Sequence, residues 1–390
     1  MRLIYSISLR FYYLLMWLVS PFYKRARLWR KNRSGWSAVL DKQDPGKKTI
    51  WIHAASAGEF EQAIPLIRHI RNSGYDLRIA VSFYSASGYE LYKDSELADI
   101  FFHFPPDYRR NAKKIIGKIK PVAVIFIRNE IWWNTLSELH KENIPALLIN
   151  AELQKRAGIY GRYLASCYKL FSKIYYTHII GNTKAERVTA VEATEYKDAV
   201  MEEFSASAFV LMLGSCFDKE MGIAAKFYKA NHSAHPGLKI VFCPHEWNEK
   251  TISHYQEHFE EPIHLYTDVS SPGRLVFVDK MGILKYLYRY ASAAIVGGGF
   301  GKGVHNVSEA AAYGIPVFIG PNYEKFPEVK RMVENGTVFV TENENQFSEK
   351  LLPFMQDKKL SESIKEKRKQ TKGEAGFTSV IIWKEIESKL

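Results

Sequence analysis

A stretch in the first sixth of the chain combines residue types that could carry out proton transfer. It reads "WIHAASAGEFEQAIPLIRHIR" over residues 51–71. An apolar run leads into small residues, and apolar side chains then recur at helical spacing, which predicts a strand, a tight turn and a helix. Glu59 stands in the first turn of that helix, directly after Gly58. A carboxylate there could act as a general base, but an acid at a helix start also complements the helix dipole, and position alone favours this simpler role.

The same turn contains Ser56, which raises nucleophilic catalysis as a second chemistry. A nucleophile elbow places a serine between a strand and a helix, but its pattern begins with a glycine that "AASAG" lacks. A hydrolase would also need Asp and His partners on later turns. The hydrolase is therefore the weaker interpretation of this turn.

A glycine-rich stretch in the second half is the next candidate for a site. Residues 293–321 read "AAIVGGGFGKGVHNVSEAAAYGIPVFIGP", with five glycines in 297–303 between a predicted strand and a predicted helix at 304–313. Bare glycines let a ligand approach the backbone, and a helix N-terminus favours phosphate. The loop fits neither GxGxxG nor a Walker A loop, which disfavours an NAD enzyme and a P-loop ATPase. The pattern predicts a phosphate-and-ribose site in which Glu309 accepts hydrogen bonds from ribose hydroxyls.

Metal and disulfide chemistry are not indicated by the sequence. There is no DxD motif, and no His, Cys, Asp or Glu cluster has the spacing of a metal site, so we expect no metal and no cofactor. The three cysteines, Cys167, Cys216 and Cys243, are scattered without CxxC spacing. They indicate neither a disulfide framework nor zinc, which is typical of a protein body in a reducing compartment.

The elements that must position these residues alternate between buried strands and amphipathic helices. In the first half, strands are predicted at 49–53, 77–82, 122–127 and 145–149, with helices near 59–71, 109–119 and 132–142. In the second half, strands are predicted at 208–214, 239–243, 274–278, 293–297 and 316–319, with helices near 217–230, 248–258, 282–291, 304–313 and 324–334. This βαβ pattern predicts α/β domains with parallel sheets covered on both faces.

A polar stretch without a clear strand, residues 182–207, marks the predicted domain boundary. It separates a domain at 45–205 from a domain at 206–390. Two doubly wound domains in tandem usually leave a cleft between the carboxyl ends of their strands, and ligands bind there.

The N-terminal segment 1–33 predicts contact with a membrane. It holds eight basic residues and no acid, and so supplies +8 of the net charge of +12. The high pI therefore does not indicate a nucleic-acid-binding face. Between Leu3 and Tyr23 only Arg10 is charged, and a stretch of this length, roughly 20 residues, suits either a single membrane span or an interfacial helix. The basic flank favours anionic lipid and a body on the cytoplasmic side, and a cleaved signal peptide is disfavoured.

Short motifs along nearly the whole chain identify a family by their order and spacing. They are "HAASAGE" (53–59), "SGYE" (87–90), "FPPD" (104–107), "NEIWWN" (129–134), "INAEL" (149–153), "GNTKAERV" (181–188), "DKMG" (279–282), the glycine-rich stretch at 296–321 and "NYEKF" (322–326). With these motifs the chain resembles the 3-deoxy-D-manno-oct-2-ulosonic acid (Kdo) transferases of lipid A biosynthesis.

The resemblance implies a fold, a location and partners. The fold would be GT-B, with two Rossmann-like doubly wound domains facing a cleft and an N-terminal membrane-anchoring helix. Residues 1–33 would form the anchor and its basic flank, 45–205 would bind the acceptor, and 206–390 would bind the nucleotide sugar. The protein would lie on the cytoplasmic face of the cell inner membrane, with CMP-Kdo as donor and a lipid A precursor as acceptor.

The resemblance also implies roles for individual residues. Glu59 would be the general base, assisted by Glu130 and Lys184. CMP would be bound by Pro244, His245, Met281, Gly282, Ile283, Asn306, Val307, Ser308 and Glu309. This chain departs from the family pattern at His245 and Glu152, which replace arginines, at Ile283, which replaces an acid, and in a shorter stretch between 150 and 184.

Alternatives remain open at the level of sequence. Another GT-B enzyme, either a UDP-sugar transferase or a sugar-nucleotide epimerase, would share the fold but would not require cytidine. An inactive, membrane-anchored relative would share the fold without activity. The residues alone do not decide among these classes.

Overall fold

A computed structural model describes residues 2–41, 46–151, 158–177, 183–268, 273–372 and 378–390. The chain divides into two units, which are described separately. The first comprises Met1–Arg187 together with Ala375–Leu390, and the second comprises Val188–Glu374.

The first unit contains a sheet of six parallel strands. These are β1 (Thr49–Ala54), β2 (Arg78–Phe83), β3 (Ile100–His103), β4 (Pro121–Ile127), β5 (Ala146–Ala151) and β6 (Lys173–Tyr176), in the order β3-β2-β1-β4-β5-β6. The order reverses between β1 and β4, and ligands of open α/β sheets bind beyond the carboxyl ends of the strands at such a point. Both faces of β1 and β2 are buried, which explains their nearly unbroken apolar sequence.

Helices cover this sheet and precede it. They are α1 (Arg2–Val19), α2 (Lys24–Arg33), α3 (Trp36–Asp41), α4 (Ala57–Asn72), α5 (Ala86–Tyr92), α6 (Arg109–Ile119), α7 (Trp133–Lys141) and α8 (Gly158–Tyr168). Helix α4 buries Phe60, Ile64, Ile67 and Ile70, the residues that gave it helical periodicity, in the core cluster that contains β1 and β2. Burial of this apolar face is what orients its polar first turn.

The second unit contains a sheet of seven parallel strands. They are β7 (Phe209–Cys216), β8 (Leu238–Pro244), β9 (Ile263–Leu265), β10 (Leu275–Phe277), β11 (Ala293–Val296), β12 (Val317–Ile319) and β13 (Val338–Val340), in the order β13-β12-β11-β7-β8-β10-β9. The order reverses between β7 and β11, so the loops after these strands lie at the switch point of this sheet.

The helices of the second half complete the element list. They are α9 (Thr183–Ala193), α10 (Ala199–Ser205), α11 (Asp218–Asn231), α12 (Glu249–Gln256), α13 (Leu284–Leu287), α14 (Val307–Ala311), α15 (Pro327–Glu334), α16 (Glu344–Gln356), α17 (Lys358–Lys372) and α18 (Thr378–Glu387). The helix predicted at 304–313 is reduced to the five residues of α14.

All nine predicted strands are confirmed within two residues at each end. The strands that sequence patterning missed, β3, β6, β9 and β13, have only three or four residues each. Segments this short contain too few residues to show a period, and β10, β11 and β12, which are equally short, were predicted from apolar runs instead.

The division into units differs from the predicted domain bounds of 45–205 and 206–390. Residues 188–205 belong to the second unit, and the last helix, α18, belongs to the first. Trp383, Ile382 and Ile386 of α18 are buried in the core cluster that contains α4. The chain therefore returns to the first unit because this helix has an apolar face that completes that core.

The N-terminal segment 1–33 is joined to the body of the first unit by buried polar contacts. Tyr5 donates its hydroxyl proton to Asp107 at 2.8 Å, and Arg2 forms an ion pair with Glu138 at 3.2 Å. Asp107 is 1% exposed and Glu138 is 2% exposed. Among the residues that the structure describes, no helix is long and apolar enough to cross a membrane.

The guanidinium of Arg33 ties the end of α2 to the strand ends of the sheet. It donates from Nε to the carbonyl of Phe104 at 2.9 Å and from Nη2 to the carbonyl of Tyr84. It also lies over the rings of Trp29, at 4.0 Å, and Tyr84, at 4.7 Å. Burial lowers the pKa of Arg33 to about 10, so the group stays charged at neutral pH.

Asp107, the last residue of "FPPD", determines where α7 begins. Its carboxylate accepts the backbone N–H groups of Asn134 and Thr135, both at 2.9 Å, and the Thr135 hydroxyl at 2.6 Å. These amides belong to the first turn of α7 and have no partner within the helix. Burial raises the pKa of Asp107 to about 6, although the hydrogen bonds from Thr135 and Tyr5 oppose that rise.

We predict that Asp107→Asn lowers the free energy of unfolding by about 1–3 kcal/mol, because an amide turns an N–H donor toward amides that need an acceptor. Urea unfolding followed by tryptophan fluorescence measures the loss. Asp76→Asn is the matched control, since its ion pair with Lys47 is exposed and its loss should cost less than about 1 kcal/mol. Equal losses for the two variants would contradict the role given to Asp107.

Candidate active site and nucleotide site

The turn between β1 and α4 explains why serine and glutamate stand three residues apart. Ser56 is the N-cap of α4 and accepts the backbone N–H of Glu59 at 3.4 Å. In return, Oε2 of Glu59 accepts the backbone N–H of Ala55 at 2.7 Å. This arrangement resembles a capping box displaced by one residue. The hydroxyl of Ser56 therefore has a structural role, which weakens the hydrolase interpretation further.

The surroundings of the Glu59 carboxylate also change its basicity. Burial raises its pKa, and the charge of Glu130 raises it further. The hydrogen bond from Ala55 and the charges of Arg128 and His53 act in the opposite direction. A carboxylate with a raised pKa is a stronger base, so the helix-capping contact and a catalytic role are compatible in this residue.

Glu130 is held by two ring nitrogens. Its Oε2 lies 3.0 Å from Nε2 of His53 and accepts the indole N–H of Trp132 at 2.8 Å. His53 lies on β1 and is fully buried, whereas Glu130 follows β4, so the pair joins the two strands of the switch point. The link between His53 and Glu130 spans 77 positions and left no local signal in the sequence.

The hydrogen bonds around His53 indicate which of its nitrogens is protonated. Ser82 accepts the indole N–H of Trp51 at 2.8 Å, and its hydroxyl lies 2.8 Å from Nδ1 of His53. If Ser82 donates to Nδ1, then Nε2 bears the proton and donates to the Glu130 carboxylate. This assignment satisfies the chain Trp51–Ser82–His53–Glu130. The indole N–H of Trp132, which lies 2.9 Å from Nε2 of His53 and 2.8 Å from Glu130, then donates to Glu130 alone.

Lys184 is placed by a buried amide that was not predicted. Asn150 is the asparagine of the motif "INAEL" and has a φ of 53°. Its Nδ2 donates to the side chain of Gln62 at 2.9 Å and to the Thr183 hydroxyl at 2.6 Å. Its Oδ1 accepts the backbone N–H of Thr183 at 3.3 Å. These bonds join α4, the end of β5 and the start of α9, so Lys184 lies in the first turn of α9. Glu152, one of the departures from the family pattern, lies outside the described residues.

The glycine-rich loop of the second unit is built for close packing. A Cβ on Gly298, whose φ is +91°, would lie 2.9 Å from Cδ2 of His305, and a Cβ on Gly299 would lie 2.6 Å from the backbone nitrogen of Gly320. Several of the loop's N–H groups are also engaged: Gly298 donates to Glu220 at 2.8 Å, and Gly301 donates to the Gly298 carbonyl at 2.9 Å. The glycines thus have a structural reason, which the sequence pattern alone attributed to a ligand.

The predicted nucleotide-binding residues differ in how far their side chains can reach a ligand. Ile283 and Val307 are 8% and 1% exposed and belong to a core cluster, so only their backbone could contact a nucleotide. Met281 is 71% exposed, and Gly282 has a φ of 82°. Pro244, Ser308 and Glu309 are half-buried, and His245 is exposed. Asn306 has a buried Oδ1 for which the described residues provide no hydrogen-bond partner.

Three rings meet at the carboxyl ends of β7, β8 and β11. The imidazoles of His245 and His305 stack with centroids 4.3 Å apart, and the ring of Phe217 stacks on His305 at 5.5 Å. Phe217 was not predicted as a site residue, because a single phenylalanine after a strand gives no signal. The described residues contain no group of three or more His, Cys, Asp or Glu side chains that could hold a metal ion.

Comparison with known proteins first defines the class. Residues 235–371 match the family described as glycosyl transferases group 1. The UDP-GlcNAc 2-epimerase of Neisseria meningitidis has a similar structure, with a TM-score of 0.58 at 14% identity over 88% of this chain and 100% of that chain. MurG of Acinetobacter baumannii gives a TM-score of 0.55 at 11% identity over 87% of this chain and 99% of that chain. Two parallel-sheet domains of this kind have the GT-B fold, and the match of residues 235–371 identifies a glycosyltransferase.

The first unit narrows the class to a family. Residues 27–204 match the family described as 3-deoxy-D-manno-octulosonic-acid transferase (kdotransferase). The chain is also 26% identical over 333 residues to the 3-deoxy-D-manno-octulosonic acid transferase of Aquifex aeolicus, which covers 84% of this chain and 91% of that relative. The chain is therefore similar to the Kdo transferases over most of its length, as its motifs predicted.

We predict that Trp132→Phe lowers kcat for sugar transfer by about ten- to a hundredfold, the effect of one lost hydrogen bond to a charged group. Phenylalanine keeps an aromatic ring against Tyr84 but removes the N–H that Glu130 accepts. Trp133→Phe is the matched control, because the adjacent Trp133 packs on Tyr5 and Tyr163 instead. Steady-state kinetics and melting temperatures of both variants make the comparison, and equal turnover would exclude a role for the indole N–H.

Proposed function

We propose that this Kdo transferase moves Kdo from CMP-Kdo to a lipid A precursor, with inversion at the anomeric carbon. The observation that carries the proposal is the pair Glu59 and Glu130 at the switch point of the first sheet. One carboxylate has a raised pKa and one is held by ring N–H donors. The family match supports Kdo as the transferred sugar.

Glu59 acts as the general base. A hydroxyl of the acceptor sugar is a poor nucleophile, so Glu59 takes its proton as the oxygen attacks the anomeric carbon of Kdo. The bond from that carbon to the CMP phosphate oxygen breaks, and CMP leaves with the bonding electrons. Positioned proton transfer raises the rate of a reaction roughly 10²–10⁴-fold. The transition state is expected to be oxocarbenium-like.

Glu130 and Lys184 assist the transfer with opposite charges. The negative charge of Glu130 makes Glu59 a stronger base, and it also favours the positive charge that develops on the Kdo ring. Lys184 neutralises the donor carboxylate or the leaving phosphate. CMP is bound in the second unit by the segments that contain Pro244 and His245, 281–283 and 306–309.

A lipid acceptor fits the surface of α1. One face of this helix leaves large apolar side chains in solvent, each between 42% and 73% exposed: Leu3, Ile4, Ile7, Phe11, Leu14, Leu15, Trp17, Leu18 and Val19. The basic residues of α2 follow directly. An apolar helix face beside basic residues suits an anionic lipid surface, which supports an interfacial helix on the cytoplasmic face of the inner membrane.

Transfer is tested by incubating the full chain with CMP-Kdo, generated in situ, and a tetraacylated lipid A precursor, followed by mass spectrometry. We predict an acceptor product heavier by one or more Kdo residues. Glu59→Gln should lower turnover at least about a hundredfold, because the amide keeps the bond to Ala55 but accepts no proton. CMP affinity and melting temperature should hardly change. Near-normal transfer by this variant would remove Glu59 from the mechanism, and turnover of UDP-GlcNAc without acceptor would favour an epimerase.

The pH profile tests the pairing of the two carboxylates. Because the pKa of Glu59 is raised by burial and by Glu130, turnover should fall on acidification above the ordinary pKa of a glutamate. In Glu130→Gln the neighbouring charge is gone, so we predict that the acid limb of the residual activity moves to lower pH. A plot of log kcat/KM against pH measures the acid limb of both proteins. If the limb stays at the same pH in Glu130→Gln, the charge of Glu130 does not raise the pKa of Glu59.

We predict that Ile7→Glu together with Phe11→Glu lowers partition of the protein onto phosphatidylglycerol vesicles at least about tenfold, because both side chains would lose apolar burial. Vesicle flotation measures partition. Leu91→Glu, which changes an equally exposed leucine on α5, is the control. Deleting residues 1–33 is a poorer test, because it would strip partners from buried Asp107 and Glu138. Unchanged flotation of the double variant would exclude this face from membrane binding.

A further inference from the structure

We propose that the first unit holds a subsite for one pyranose ring of the acceptor, in a cavity between the turn from α2 to α3, helix α5 and the end of β3. The inference rests on the proposed function, because it places a second sugar of the acceptor beside the sugar that reacts at Glu59. It also gives a use to the motif "SGYE", whose Tyr89 and Glu90 line the cavity and take no part in the proposed transfer.

The cavity is small and has both aromatic and polar walls. Its volume is about 280 Å³, and its lining includes Asn32 of α2, Trp36 of α3, Tyr89 of α5, and Phe102 and His103 of β3. Small-molecule sites begin at roughly 300 Å³ and combine apolar or aromatic walls with a few polar groups. A cavity of this size suits a single sugar ring rather than a nucleotide sugar.

His103 is a buried polar side chain that the fold leaves without a hydrogen bond. It is 5% exposed, and its Nδ1 is sealed from solvent with no partner among the described residues. The imidazole instead packs on the ring of Tyr89, with centroids 4.1 Å apart. An unsatisfied buried group lowers stability, so its presence in a folded protein needs a reason. Because His103 lines the cavity, a ligand bonded at Nε2, the other ring nitrogen, supplies one.

The polar groups in the cavity wall suit sugar hydroxyls. Burial and the charge of Arg33 lower the pKa of His103 to about 4, so its imidazole is neutral at neutral pH. The Asn32 amide and the Tyr89 phenol both donate and accept, and the Trp36 indole donates. These three side chains form no hydrogen bond within the part of the chain that the structure describes. Hydroxyls that both donate and accept match this set, and the aromatic rings provide apolar surface for the carbon face of a sugar.

A phosphate is the alternative occupant, and the charges around the cavity do not favour it. Among the lining residues that the structure describes, Lys31 is the one cation and Glu90 is an anion. Lys93 forms an ion pair with Glu90 at 2.6 Å, and Lys114 lies over the ring of Trp36 at 5.6 Å. Strong phosphate binding uses charge-assisted hydrogen bonds from cations that converge on the anion. One exposed lysine opposite a glutamate does not provide such a set.

The strand register places the cavity at a suitable distance from Glu59. Ala54, at the end of β1, pairs with Phe83 of β2, and Phe83 pairs with His103 of β3. Neighbouring strands lie about 4.8 Å apart, so the ends of β1 and β3 are separated by roughly 10 Å along the same edge of the sheet. Glu59 stands in the first turn of the helix that follows β1. Two adjoining rings of one saccharide can span this interval, with one ring at Glu59 and the next in the cavity.

Steady-state kinetics of the full chain test the subsite through the KM for the acceptor. Tyr89→Phe combined with Asn32→Ala removes two neutral polar groups but keeps the ring that packs on His103. We predict that the acceptor KM rises about tenfold, the effect of losing two hydrogen bonds between neutral groups. The kcat, the KM for CMP-Kdo and the melting temperature should stay the same. Tyr75→Phe is the matched control, because Tyr75 precedes β2, at the opposite edge of the sheet, and packs on Trp383.

Saturation-transfer NMR measures binding without turnover. The probe is a β-1,6-linked glucosamine disaccharide that carries neither phosphate nor acyl chains. We predict that the native chain saturates the protons of the disaccharide, and that the signal falls at least about twofold in the double variant but not in Tyr75→Phe. Inorganic phosphate should not displace the disaccharide.

Each outcome supports or overturns the subsite. An unchanged acceptor KM in the double variant overturns it and leaves the proposed function standing. Displacement of the disaccharide by inorganic phosphate assigns the cavity to an anion, and an equal loss in Tyr75→Phe assigns the effect to the fold, so either result overturns the subsite. If the native chain transfers no Kdo, the proposed function fails, and the NMR comparison then decides separately whether the cavity binds a saccharide.

Discussion

Hydrogen bonds from backbone amides to side chains at the carboxyl ends of the strands hold both candidate sites together. A parallel sheet brings these ends to one edge, and each chain segment turns there with amides that the sheet cannot satisfy. Glu59 accepts the N–H of Ala55, Asp107 accepts those of Asn134 and Thr135, and Glu220 accepts those of Phe217 and Gly298. Helix capping and catalysis are therefore not rival explanations of Glu59. The capping bond fixes the position of the carboxylate, and in the proposed mechanism that position is the one from which it accepts a proton.

The N-terminal helices take part in the same arrangement. Arg33 holds the carbonyls of Phe104 and Tyr84, which directly follow β3 and β2. The ring of Tyr84 stacks on Trp132, whose indole donates to Glu130. The segment that carries the exposed apolar side chains of α1 is thus two contacts away from a candidate catalytic carboxylate. Segment 1–33 is therefore packed into the first unit, because Arg33 is buried there and the segment supplies partners for Asp107 and Glu138.

The sequence predicts the parts of this structure that depend on local pattern. Long buried strands and α4 follow from unbroken apolar runs and helical spacing, and Glu59 follows from its place after a tight turn. Contacts between distant positions left no such signal: His53 with Glu130, Asn150 with Thr183, and the return of α18 to the first unit. The packing inside the glycine loop left no signal for the same reason, since only the folded chain places His305 against Gly298. The burial of Val307, by contrast, could have been inferred from its spacing to Ala310 and Ala311.

The pKa of Glu59 sets the pH range in which the proposed mechanism operates. As a general base Glu59 acts only when it is ionised, so its contribution to turnover is lost as pH falls through its pKa, which burial and the charge of Glu130 raise. The same charge that makes Glu59 a stronger base therefore also moves the acid limit of turnover to higher pH. Glu130 is held in place by His53 and Trp132, so the contacts that position this second carboxylate also act on the basicity of the first.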